Sequence, residues 1–92
     1  METNEISAHL CRVYVSVKSA NCWMTAKDIA QAAKVADRTA RSHALRLVNL
    51  GVFDQAEVFP AHRYKISEKA SKRNKAIILR LEAAHEIFHS ED

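Results

Sequence analysis

Glycine and proline are almost missing from this 92-residue chain, which has one of each, Gly51 and Pro60. That scarcity excludes a collagen-like repeat and a Pro/Gly-rich linker, since both need these residues in quantity. The two cysteines, Cys11 and Cys22, have ten residues between them and no CxxC partner, so neither a zinc-ligand pattern nor a disulfide framework is present. No apolar run approaches the roughly 18 residues that a membrane span requires. Met1-Glu2-Thr3-Asn4-Glu5 lacks the basic start and apolar stretch of a signal peptide, and a reduced, cytoplasmic chain is expected. There is no Gly-rich phosphate loop, nucleophile elbow or pair of carboxylates on a scaffold, so no catalytic residue, enzymatic activity or cofactor is expected.

What remains is 48% hydrophobic and 27% charged, a balance that reads as one globular, helix-rich domain over residues 1–92. A domain this small buries a modest fraction of its surface, which makes a homodimer a natural expectation. The net charge of +3 decides little until its distribution is read. Between Lys34 and Lys75 there are ten basic and four acidic residues, a net +6, whereas the rest of the chain sums to −3. Positive charge sits in the middle, where a polyanion would be met.

Ile6, Leu10, Val13, Tyr14 and Val17 fall on one face of an amphipathic helix over residues 3–19. Cys22-Trp23-Met24 follows as a short apolar stretch, read as a minor strand with Trp23 as a core anchor and both cysteines as small core hydrophobes. Thr25 with Asp28 three residues later predicts the capped start of a second helix ending at Ala33, buried through Ile29, Ala30 and Ala33. Asp37 is the expected N-cap of a third helix that stops at Leu50-Gly51 and turns Ala40, Ala44 and Leu47 inward. Residues 52–59 and 64–66 read as the strands of a hairpin, with Pro60-Ala61-His62-Arg63 as its turn. Ser67 and Glu68 are expected to open a last helix over residues 68–89, where Ala70, Asn74, Ile77, Leu81, Ala84 and Phe88 make a heptad-like seam.

The order helix, helix, turn, helix, hairpin, helix resembles the winged helix-turn-helix superfamily, especially the small MarR-like and ArsR-like regulators of bacteria and mobile elements. Thr25-Ala26-Lys27-Asp28-Ile29-Ala30 is similar to the opening of the first motif helix, and Val35 takes the apolar turn position. Thr39-Ala40-Arg41 with His43-Ala44 looks like the recognition helix. Leu47-Val48-Asn49-Leu50-Gly51-Val52-Phe53 resembles its end and the launch of the wing, and Tyr64-Lys65-Ile66-Ser67 the returning wing strand. The match runs over residues 25–67, about half of the chain. It departs from the pattern at Ala36, where many relatives place Ser, and at the hairpin tip, which is not Gly-rich.

The resemblance implies a mainly α fold with a small β-hairpin, and binding of double-stranded DNA by a dimeric transcription regulator of repressor type. An α-helix fits the major groove, where Arg pairs with guanine through two hydrogen bonds. Arg38, Arg41, Ser42 and Arg46 supply that chemistry on the outward side of the third helix. Each arginine alone reads equally well as a solubilising charge; the cluster opposite a small-residue core face points to DNA. Thr39 is a candidate phosphate contact or helix cap, and His62 and Arg63 are candidate backbone or minor-groove contacts at the hairpin tip. Lys69, Lys72, Arg73 and Lys75 match the helix dipole poorly in the first turns of the last helix, which suits either phosphate or a solvated face.

Ile77, Leu81, Ala84 and Phe88 are the candidate dimerisation residues, with Ile78 and His85 widening the stripe enough for packing on the domain itself as well. His85 and His89 share one helical face near Glu82 and Glu86, but two ligands do not make a site and no metal is assigned. The rival function is a protein-interaction module, or an accessory in replication, excision or plasmid maintenance.

Overall fold

A computed structural model describes residues 7–58, 61–68 and 74–90. The elements are α1 (Ala8–Ala20), β1 (Met24–Thr25), α2 (Ala26–Ala33), α3 (Asp37–Asn49), β2 (Phe53–Val58), β3 (Ala61–Ile66) and α4 (Lys75–Ser90). α1 is the hub, packing on α2, α3, α4 and β3. It starts where Ser7 accepts the Leu10 N–H at 3.1 Å, and it buries Leu10, Cys11, Val13, Tyr14 and Val17. Residues 3–6 of the expected first helix, Ile6 included, lie outside the described residues. α1 closes on left-handed Asn21 (φ 51°), whose N–H reaches the Val17 carbonyl, a conformation that Asn tolerates better than most side chains.

α2 begins with the reciprocal cap that its sequence predicts. The Asp28 N–H donates to the Thr25 hydroxyl at 3.1 Å, and the Thr25 N–H donates to the Asp28 carboxylate at 3.2 Å, satisfying two free donors at once. α3 departs from expectation at its start. Its N-cap is Ala36, with no side-chain bond, and Asp37 is the first helical residue. The carboxylate still favours the first turn electrostatically.

The end of α3 positions the hairpin. Gly51 takes φ +81° and donates to Val48 O at 3.0 Å, while the Val52 N–H donates to Leu47 O at 2.9 Å. These two bonds close the last turn in a Schellman arrangement, with buried Val52 and Leu47 as its apolar contact.

β1, β3 and β2 form an antiparallel sheet in that order, with Met24 opposite Tyr64 and Phe53 opposite Ile66. The β2–β3 ladder continues outward to Glu57 opposite His62 and Val58 opposite Ala61. His62 and Arg63 are therefore strand residues rather than the turn. Strand alternation separates them: His62 shares the face of buried Tyr64, and Arg63 faces the other way. The same alternation corrects Trp23, which precedes buried Met24 and is 43% exposed instead of anchoring the core; Cys22 is also exposed.

The last helix is described from Lys75 onward, and the cap expected of Ser67 would act on residues outside the described set. Ser67 donates its N–H to Val52 O at 2.9 Å, so it extends the strand pairing by one more residue. Residues 69–73, which carry Lys69, Ala70, Lys72 and Arg73, lie outside the described set. α4 lies along α1, where the Tyr14 hydroxyl donates to Glu82 Oε2 at 3.0 Å and Lys18 Nζ pairs with the same oxygen. That lysine holds the Glu82 carboxyl below its ordinary range, with partial burial opposing and the Tyr14 hydroxyl assisting. The radius of gyration, 12.3 Å, agrees with the ~12 Å of a compact chain of this length. α4 thus lies on the body rather than projecting as a stalk.

Candidate nucleic-acid interface

With 3.6 residues per turn, burial of Ala40, Ala44 and Leu47 fixes which side of α3 looks outward. That side carries Arg38, Arg41, Ser42, Leu45 and Asn49, all exposed, with Thr39 and Arg46 half-buried at its edge. Among the described residues neither Arg38 nor Arg41 takes part in an ion pair. Ala36 brings no side-chain cap to the start of the helix, so side-chain capping does not occupy the first-turn N–H groups next to Arg38.

The hairpin reaches this surface through one face only. Gln55 Nε2 lies 2.8 Å from His62 Nδ1, a hydrogen bond that ties the two side chains together across the hairpin. Gln55 lies directly opposite Tyr64 in the β2–β3 ladder, and the Arg41 guanidinium acts on the Tyr64 hydroxyl. Burial raises the Tyr64 pKa, and Arg41 and Gln55 partly offset the rise. Arg41, Tyr64, Gln55 and His62 therefore connect the outward helix face to the hairpin. Arg63 does not join them; it lies across from Thr25 on the opposite sheet face. His43, half-buried on α3, is held below its ordinary pKa by burial first and then by the charges of His9 and Arg46.

Leu45, Asn49 and Gln55 are the residues that sequence reasoning passed over. Leu45 is 39% exposed and falls three residues after Ser42, four after Arg41 and seven after Arg38. That spacing was readable from the sequence, but an apolar residue beside Ala44 and Leu47 reads as core until the helix phase is known.

The candidate dimer residues sit elsewhere. Leu81 is 1% exposed within the single chain, and Ile77 and Ala84 pack half-buried on the same core. Leu81 consequently has no surface left to offer a second copy. The side chains of Phe88 and His89 lie outside the described residues, and His85 is half-buried. Among the described residues no three His, Cys, Asp or Glu side chains group closely enough to hold a metal ion, and no helix is long and apolar enough to cross a membrane.

Comparison with solved structures decides the architecture. The ST1889 protein of the thermoacidophilic archaeon Sulfolobus tokodaii superposes with a TM-score of 0.70 at 17% identity, over 94% of this chain and 86% of that one. A MarR family transcriptional regulator from Silicibacter pomeroyi DSS superposes with a TM-score of 0.66 at 17% identity, over 97% of this chain. The fold is a winged helix-turn-helix. In its terms α2 and α3 are the motif helices and β2–β3 is the wing. TrmBL2, an archaeal chromatin protein whose structure is described as showing a novel mode of DNA binding, also matches, with a TM-score of 0.64 at 19% identity over 98% of this chain. The winged helix chain spans 56% of the MarR family regulator and 34% of TrmBL2. No protein-family model and no curated protein sequence matches it.

Proposed function

We propose that this chain binds double-stranded DNA with α3 in the major groove, as a cytoplasmic, dimeric and sequence-specific transcription regulator without catalytic activity. One observation carries the reading. α3 presents Arg38, Arg41 and Ser42 on a single exposed face, with both arginines free of ion pairs among the described residues. The names of its structural neighbours support it: a transcriptional regulator and a DNA-binding chromatin protein share the architecture. Arg38 and Arg41 act as donors to base edges, while Thr39 and the first-turn N–H groups meet phosphate. Arg46 at the edge of the face and His62 on the wing add contacts to the backbone. Arg63 contributes only if the duplex wraps past the wing edge, since it points away from α3.

Dimerisation belongs to the same proposal, through the side of α4 that faces away from α1. Leu79 and Ile87 are 55% and 59% exposed there and would supply the apolar contact. Two copies would set their α3 helices on successive major grooves, roughly 34 Å apart, of a pseudo-palindromic site. Repression is the mode that needs nothing beyond occupancy of that site.

The test is fluorescence anisotropy of a labelled 30-base-pair duplex across a salt series, for the native chain and an Arg38→Ala/Arg41→Ala variant. Binding should weaken as salt rises, by about 0.9 in the log–log slope for each phosphate contact. The variant should bind at least ~10-fold more weakly, since each arginine that reads a base is worth about 1–3 kcal/mol. No binding at low salt, or equal binding by the variant, would overturn the assignment.

A further inference from the structure

The outward face of α3 has an apolar residue at its centre. Leu45 follows Ser42 by three residues, Arg41 by four and Arg38 by seven, and Asn49 follows it by four, so the five side chains form one stripe along the helix. Isolated exposed leucines are common and signify nothing alone. Leu45 is not isolated in that sense. It is 39% exposed in the middle of a polar and cationic surface, while the apolar side of the same helix is satisfied by Ala40, Ala44 and Leu47. Neither helix formation nor the core requires an apolar side chain at that position.

A duplex offers few partners to such a side chain. In the major groove the base edges present hydrogen-bond donors and acceptors, and a single kind of apolar group, the methyl on C5 of a pyrimidine. Thymine carries it, and so does 5-methylcytosine. A leucine carried into the groove between Ser42 and Asn49 must either lose water against a donor or acceptor, which is unfavourable, or meet that methyl group, which is favourable. Ser42 and Asn49, one turn to either side, supply the hydrogen bonds that hold the neighbouring base pairs in register.

We propose that Leu45 is a specificity-determining residue that selects a pyrimidine carrying a C5 methyl group in each half-site. The inference rests on the reading of α3 as the DNA-contacting helix and names what its central position recognises. It is separate from the arginine contacts, which set affinity and read guanine.

The experiment starts from the duplex that the native chain enriches out of a random 30-base-pair library. Each thymine of that duplex is replaced in turn by uracil, which keeps every hydrogen-bonding group and removes only the methyl. A single replacement, at the contacted thymine of one half-site, should weaken binding about fourfold, the worth of one buried methyl group. Cytosine at that position should bind weakly, and 5-methylcytosine should recover part of the loss. A Leu45→Gln variant, checked for an unchanged melting temperature, should respond less than twofold to the same uracil. Native protein indifferent to every thymine-to-uracil change, or Leu45→Gln retaining the native fourfold response, overturns the proposal. Failure to enrich any duplex overturns the DNA reading of α3 as well; enrichment without a methyl effect overturns this inference alone.

Discussion

Replacing Gly51 by Ala probes the joint that aims the wing from the end of α3. Gly51 has φ +81°, and its N–H and that of Val52 close the helix on Val48 O and Leu47 O at 3.0 and 2.9 Å. An L side chain in this region costs ~1–2 kcal/mol from contact between Cβ and its own backbone. Ala also restricts the unfolded chain, which returns ~0.4–1 kcal/mol. The added Cβ would lie 2.5 Å from Asn74 Nδ2, but that atom ends a rotatable side chain and can swing aside. The net loss is thus about 1 kcal/mol, which lowers the melting temperature by about 4–8 °C in a domain of this size. Thermal unfolding followed by circular dichroism measures it. Gly51→Asn should lose less, because Asn tolerates the left-handed region, and Asn74→Ala added to Gly51→Ala should recover little. A Gly51→Ala protein as stable as the native one would refute the left-handed closure; complete recovery with Asn74→Ala would move the cause from backbone to contact.

Lys34 also closes its helix in the left-handed region, at φ 59°, and Lys34→Gly should raise stability by about 0.5–1 kcal/mol in denaturant melts. The pKa of His43 is depressed in the fold by burial, His9 and Arg46, so the unfolded chain takes up a proton first as pH falls. The stability it contributes is complete above its ordinary pKa of 6.5 and is lost as pH drops from there through the folded value. His43→Gln should flatten the pH dependence of the melting temperature in that window, and an unchanged slope would contradict the assignment.

Local signals were legible wherever short-range chemistry decided the outcome. Thr25 and Asp28 form the predicted reciprocal cap, and Gly51 ends α3 where a lone glycine after a leucine should. Reading failed where position relative to the core decided. Trp23 looks like a core residue by size, yet strand alternation puts Met24 inward and Trp23 outward. His62 and Arg63 look like a turn because they are polar and follow Pro60, but β2 and β3 continue pairing beyond the core, where polar strand residues are free to face water. Of the seam expected on α4, Ile77, Leu81 and Ala84 pack on the core, and the packing of Leu81 against α1 shows which surface they cover. On α3 the arginines stood out by charge, whereas Leu45 needed the phase of the helix.

The most direct test of the central claim is amide chemical-shift mapping of the isotopically labelled chain during titration with a 30-base-pair duplex at low salt. If α3 meets DNA, the largest changes fall at Arg38, Arg41, Ser42, Leu45 and Asn49, with His62 and Gln55 following, while Trp23 and Lys65 on the outer sheet face stay near their free positions. Changes centred on the outer sheet face or on α4, or no changes at all, would contradict the account.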